Sequence, residues 1–215
     1  MSPSTDVPAP RAPELLDPLI TVWPAGQVMR RCHTSTFGAT EFNPRVRTPG
    51  RFRPIRTGKR AVPTLYAADD ASGAISETIF HDVPVDAVDK RVRVGRFDTT
   101  LLSTIAPRRE LALVGLHGNG FHRVHASRAH LIESEADCYP QLASWGQALH
   151  DCAAQPDGLI WRSRQYDDAY AVLLFGDRVR RADVVVVEPS LPLALGRGLE
   201  IVEELAEQAG ITLVS

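Results

Sequence analysis

Cysteine is scarce in this chain: Cys32, Cys138 and Cys152 are the three among 215 residues, odd in number and without a C-x-x-C pair. That gives neither a disulfide framework nor a cysteine-rich zinc site, so all three read as small core residues. An excess of one charge is missing too. With 24 Lys and Arg against 26 Asp and Glu, the formal net charge of -2 supplies no global field to gather nucleic acid or an anionic membrane. No apolar run reaches the roughly 20 residues that span a bilayer. The opening MSPSTDVPAPRAPELL lacks the basic start and apolar stretch of a secretory signal. A cytoplasmic location without a membrane partner is therefore expected. No internal repeat is present.

What the chain does have is the composition of a globular domain, 44% hydrophobic and 23% charged. Its length suits one core. Prolines 3, 8, 10 and 13 predict a disordered lead-in over residues 1–14, with the domain filling 15–215. VMRRC at 28–32 reads as a strand, and residues 33–63 as an irregular, functional loop region. PTLYAA reads as a strand capped by Asp69 or Asp70. The following helix buries Ala71, Ala74, Ile75, Thr78 and Ile79, and Glu77 lies one to two turns into it, bordering the core.

RVRVGRFD (91–98) alternates as a half-buried strand, and 135–152 reads as a helix lined by Cys138, Leu142, Trp145 and Leu149. GLIWRS, YAVLLF and ADVVVVE are strands, the last with unbroken valines that predict burial on both faces. LALGRGLEIVEELAEQAG is an amphipathic helix closed by Gly210. The order predicts an α+β fold, helices packed on a mixed, largely antiparallel sheet.

Four polar residues stand out by placement. Arg51 in PGRFRP suits a bidentate phosphate contact, and Tyr66 at a strand's end suits stacking on a planar heterocycle. Glu77 comes near the same strand end, and Ser163 follows an apolar strand between Arg162 and Arg164. Separately, none of these signals is specific: Arg51 reads also as a solvated arginine, Tyr66 as core and Ser163 as the start of a turn, and Glu77 alone reads first as a surface glutamate.

In combination, the GRF-x-P segment, the V-P-T-L-Y-A-A-x-x-x-x-G-A-I-S-E block and the later D-G-L-I-x-x-S-R ending in A-x-x-L-F resemble the RES domain family over about residues 28–180. The order of three separated motifs and the eleven positions from Tyr66 to Glu77 carry the resemblance. Phe52 stands where the family has tryptophan, Pro49-Gly50 replaces a glycine pair, and IRTGKRAV lengthens the link to Tyr66.

The resemblance implies the toxin of a toxin–antitoxin pair, consuming NAD+ by phosphorolysis or hydrolysis on a fold similar to ADP-ribosyltransferases. It implies Arg51, Tyr66 and Glu77 as the catalytic set, with Ser163 and an earlier arginine, Arg30 or Arg31, binding substrate. No cofactor is expected: NAD+ is the substrate and inorganic phosphate a candidate co-substrate. The implied partner is an antitoxin with a helix-turn-helix domain that blocks the cleft. The sequence leaves the oligomeric state open, a homo-oligomer included.

In that reading the arginines clamp the diphosphate while Glu77 holds a ribose hydroxyl and stabilises the developing cation. Tyr66 stacks on nicotinamide or ribose, and Ser163 binds the amide or a phosphate. The alternatives are ADP-ribosyl transfer to a macromolecule, a non-catalytic binding module, and a zinc site built from His117, His122, His125 and His130, which lack an H-E-x-x-H pattern. Direct nucleic-acid binding fits worst, because RFRPIRTGKR is basic without an aromatic platform.

Overall fold

The computed structural model describes residues 7–44 and 50–215. An eight-stranded sheet carries the fold, in the order β1 (Ile20–Trp23), β8 (Leu111–Leu116), β9 (Gly158–Arg162), β10 (Tyr170–Phe175), β5 (Thr64–Ala68), β2 (Met29–Thr34), β7 (Thr100–Pro107) and β11 (Val184–Pro192). Every neighbouring pair is antiparallel except β8 with β9. Among the described residues, two small ribbons lie outside it: β3 (Arg56–Thr57) with β4 (Arg60–Ala61), and β6 (Arg91–Arg93) parallel to β12 (Thr212–Val214). The helices are α1 (Ala71–Ser76), α2 (Gly120–Val124), α3 (Arg128–Leu131), α4 (Tyr139–Asp151) and α5 (Gly196–Gln208). This is the expected α+β architecture with a mixed, largely antiparallel sheet.

Three apolar clusters among the described residues hold it together. One packs Leu142, Trp145 and Leu149 of α4 against Trp161, Leu173 and Phe175 of the sheet, with Phe52 and Ile55 wedged between. A second joins Ile75 of α1 to Val202 and Leu205 of α5. The third lies on the other sheet face around Met29, Leu65, Ile105 and Val172. Each fully buried side chain of this size contributes about 1.5–3 kcal/mol relative to exposure.

The sheet is not continuous in its middle. β2 and β5 pair at one position, Arg30 opposite Ala68, and then part. The chain after β2 crosses the opening and rejoins β5 through Asn43, whose backbone exchanges two hydrogen bonds with Thr64. The wedge between the strands is where the large cleft forms.

Several sequence expectations are corrected. The described part of the lead-in is anchored: Val7 is buried in the α4 cluster, and the Pro8 carbonyl accepts from Trp145 Nε1 at 2.7 Å. Residues 1–6 lie outside the described residues, as do 45–49 of the loop region. The helix after β5 is shorter than its apolar spacing suggested. Asp70 caps it by accepting from Gly73 N at 2.6 Å, and it ends at Ser76, so Glu77 is its C-cap and not an interior residue. Strand β11 is an edge strand with register shifts, and Val186 and Val187 are each 49% exposed, not buried on both faces. A valine run records β propensity, not position in the sheet.

Gly146 of α4 sets how closely the helix approaches the Arg51–Phe52 segment, because a Cβ there would stand 2.2 Å from the Phe52 carbonyl oxygen. Phe52 itself has φ +64°, costly for a bulky residue, and is held by its fully buried ring. Gly146→Ala should therefore destabilise the fold by about 1–3 kcal/mol in denaturant unfolding. Ser144→Ala, on the exposed side of the same helix, should change stability by less than about 0.5 kcal/mol.

Candidate active site

The cleft has a volume of about 590 Å³, within the roughly 300–1,000 Å³ range of small-molecule sites. Its walls include Arg31 and His33 from β2, Tyr66 from β5, Arg51 and Arg53 from the crossing segment, Glu77 and His81 after α1, and Tyr139 at the start of α4. A second cavity of about 250 Å³, between α5 and residues 83–85, has Lys90 as its one charged lining residue among the described residues.

Glu77 is fixed by neutral donors. Its Oε1 accepts from Ser163 Oγ at 2.6 Å and from the Arg164 backbone N–H at 2.7 Å, which leaves Oε2 without a protein partner among the described residues. The approach is possible because residue 73 is glycine: a Cβ there would meet Ala169 Cβ at 2.5 Å, in the loop that follows Ser163.

Arg51 is 5% exposed and is held by carbonyls rather than by a carboxylate, donating to Leu131 O at 3.0 Å and to Ser134 O at 3.3 Å. Burial lowers its pKa below the usual guanidinium value, while Tyr139 and Glu77 act in the opposite sense. Arg31 is likewise buried and donates to Ala39 O at 2.6 Å; desolvation brings its pKa down to about 10, against an opposing pull from Glu41, so it stays charged at neutral pH. Two guanidiniums desolvated against dipoles leave positive charge to be met by an anionic ligand.

Tyr66 donates its hydroxyl to the Arg51 carbonyl, and burial pushes its pKa up to about 12. Its ring stands edge-on to Trp161, and the Arg53 guanidinium carbon lies 5.7 Å from its centroid. The tyrosine thus holds the arginine segment, and Arg53 occupies a face on which a heterocycle was expected to stack. His33 completes the β2 wall with Nδ1 on the Thr34 carbonyl and Nε2 on Ser103 Oγ at 2.7 Å; burial, helped by Arg31, lowers its pKa and favours the neutral ring.

The cleft brings together Arg31, Arg51, Tyr66 and Glu77, and two expected residues fall outside its walls. Alternation along β2 turns Arg30 to the other face from Arg31. There it donates to Thr104 Oγ1 and forms an ion pair with Glu188 at 3.0 Å. Ser163 is fully buried, its hydroxyl donating to Glu77 and accepting from the N–H groups of Gln165 and Tyr166, so it positions the glutamate and is not exposed to a ligand. The histidines 117–130 do not converge: among the described residues, no three His, Cys, Asp or Glu side chains stand close enough together to hold a metal ion. His81 and Tyr139 also line the cleft, and sequence placement does not mark them. Only the spacing of four from Glu77 hinted at His81.

Ser163→Ala should cost about 1–3 kcal/mol of stability in urea unfolding, because it leaves the Glu77 carboxylate and two backbone amides short of a partner.

No curated protein sequence matches the chain. Among solved structures, the fold is similar to a chain in the crystal structure of the M. tuberculosis MbcT–MbcA toxin–antitoxin complex, with a TM-score of 0.60 and 16% sequence identity over 87% of this chain and 92% of that one. That is a likeness of fold. The RES domain model matches residues 28–196, a span that takes in the wedge between β2 and β5, the Arg51 segment, the Glu77 helix and the Ser163 loop. This chain belongs to the RES domain family.

Proposed function

We propose that the protein cleaves NAD+ at the bond between nicotinamide and ribose and is the toxin of a toxin–antitoxin pair. One observation carries the reading: a buried guanidinium, Arg51, and a clamped carboxylate, Glu77, face the same cleft. A dinucleotide offers a diphosphate to the first and a ribose that becomes cationic to the second.

Nicotinamide leaves as a neutral base, taking the electron pair of the C–N bond, so the leaving group needs no proton. The enzyme has instead to hold the diphosphate and stabilise the oxocarbenium-like sugar. Arg51 and Arg31 grip the diphosphate. Glu77, with Oε1 held by Ser163 and Arg164, presents Oε2 to a ribose hydroxyl and to the developing charge. Such preorganised charge needs little rearrangement during the reaction. Tyr66 keeps Arg51 in place through its carbonyl. Water, losing a proton to solvent, or inorganic phosphate, through one of its oxygens, then bonds the anomeric carbon, giving ADP-ribose or its 1-phosphate.

Family membership and the fold shared with a chain from a toxin–antitoxin complex support the toxin part of the reading. An antitoxin with a helix-turn-helix domain would cover the cleft mouth.

Incubation with NAD+, with and without phosphate, should release nicotinamide. Glu77→Gln should lower the rate by about a hundredfold or more. Arg51→Ala should chiefly raise KM, by roughly tenfold to a hundredfold. Arg30→Ala should stay within about twofold of wild type, because its ion pair is exposed and lies outside the cleft. Full activity in Glu77→Gln would remove the carboxylate from the mechanism.

A further inference from the structure

We propose that Tyr139 is a further ligand-binding residue of the cleft: its hydroxyl, oriented by His81, donates a hydrogen bond to a phosphoryl oxygen gripped by Arg51. The oxygen belongs either to the diphosphate of a dinucleotide or to a free phosphate ion. Naming the dinucleotide rests on the proposed function; the phosphoryl chemistry does not.

Tyr139 is 8% exposed and opens α4 at the cleft wall. Its hydroxyl lies 2.9 Å from His81 Nε2, and His81 Nδ1 is buried with no hydrogen-bond partner among the described residues. This asymmetry decides the direction of the bond. Were Tyr139 the donor, a neutral ring would carry its proton on Nδ1, leaving a buried N–H unpaired. With the proton on Nε2, the unpaired site is a lone pair, which is the less costly orphan. So His81 donates and the tyrosine oxygen accepts.

The hydroxyl proton of Tyr139 then points away from His81, and no protein acceptor takes it among the described residues. The Arg51 guanidinium carbon lies 6.0 Å from the tyrosine ring centroid. Burial raises the Tyr139 pKa and keeps its hydroxyl protonated; among the charged groups facing it, Arg51 and Arg164 act against this, and Asp82 and Glu77 with it. Arg164 is paired with Glu135, and Asp82 with Arg96. A neutral donor beside a desolvated guanidinium calls for an acceptor bearing negative charge, and phosphoryl oxygens satisfy both. His81 is itself steadied through its carbonyl, which accepts from Gln165 Nε2 at 2.9 Å. It is a positioning residue.

The test is calorimetric binding of two probes, ADP-ribose and inorganic phosphate, to the full chain and to Tyr139→Phe, His81→Phe, His81→Gln and the double phenylalanine variant, each checked for folding by thermal unfolding. Tyr139→Phe should weaken at least one probe by roughly tenfold to a hundredfold, and the probe affected names the source of the oxygen. His81→Phe should weaken the same probe, the double variant should be no weaker than Tyr139→Phe, and His81→Gln, which keeps an N–H donor, should recover most of the affinity. Wild-type affinity for both probes in Tyr139→Phe would overturn the proposal, as would additive losses in the double variant or binding of neither probe by the wild type. Tyr139-dependent phosphate binding without nicotinamide release would instead sink the NAD+ reading alone.

Discussion

β2 and β5 hydrogen-bond at one residue pair and then part, and the cleft exists because of that parting. A closed sheet would have brought Arg31 and Tyr66 onto adjacent strands with nothing between them. The open wedge exposes both strand edges to one space, and the segment after β2 closes its far end through Asn43 and Thr64. The cost is a set of strand backbone groups without ladder partners. Polar side chains and the crossing loop line the gap in their place.

Inside the wedge three charged side chains are held by neutral groups. Arg51 rests on two carbonyls, Arg31 on another, and Glu77 on a hydroxyl and an amide. None of the three forms a salt bridge among the described residues. Charges fixed by dipoles keep their fields for a ligand, whereas a guanidinium locked to a carboxylate would spend most of its field on its partner. Buried Tyr66 and Ser163 set where this cation and this anion stand.

Much of the fold was legible because local pattern and tertiary position agreed. The strand at residues 28–32, the Tyr66 strand, the helix before Asp151, the two apolar strands after it and the closing amphipathic helix all lie where their spacing indicated. β7 and β8 show no such agreement. TLLSTIAP interrupts its apolar residues with Ser103 and Thr104, which are buried through hydrogen bonds to His33, Ser190 and Glu188 supplied from distant strands. The site was legible in part. Strand alternation separates Arg30 from Arg31, but only the location of the cleft says which is useful. The partners of Arg51 lie 80 and 83 residues away in sequence, and the tie from Ser163 to Glu77 spans 86. No local pattern encodes contacts of that range.

The most direct test of the central claim is a crystal structure of Glu77→Gln soaked with NAD+. The account predicts the diphosphate on the Arg51 and Arg31 side of the cleft, with the nicotinamide ribose against the side chain at position 77. A dinucleotide bound elsewhere, or lying in the cleft with its diphosphate away from Arg51, would contradict it.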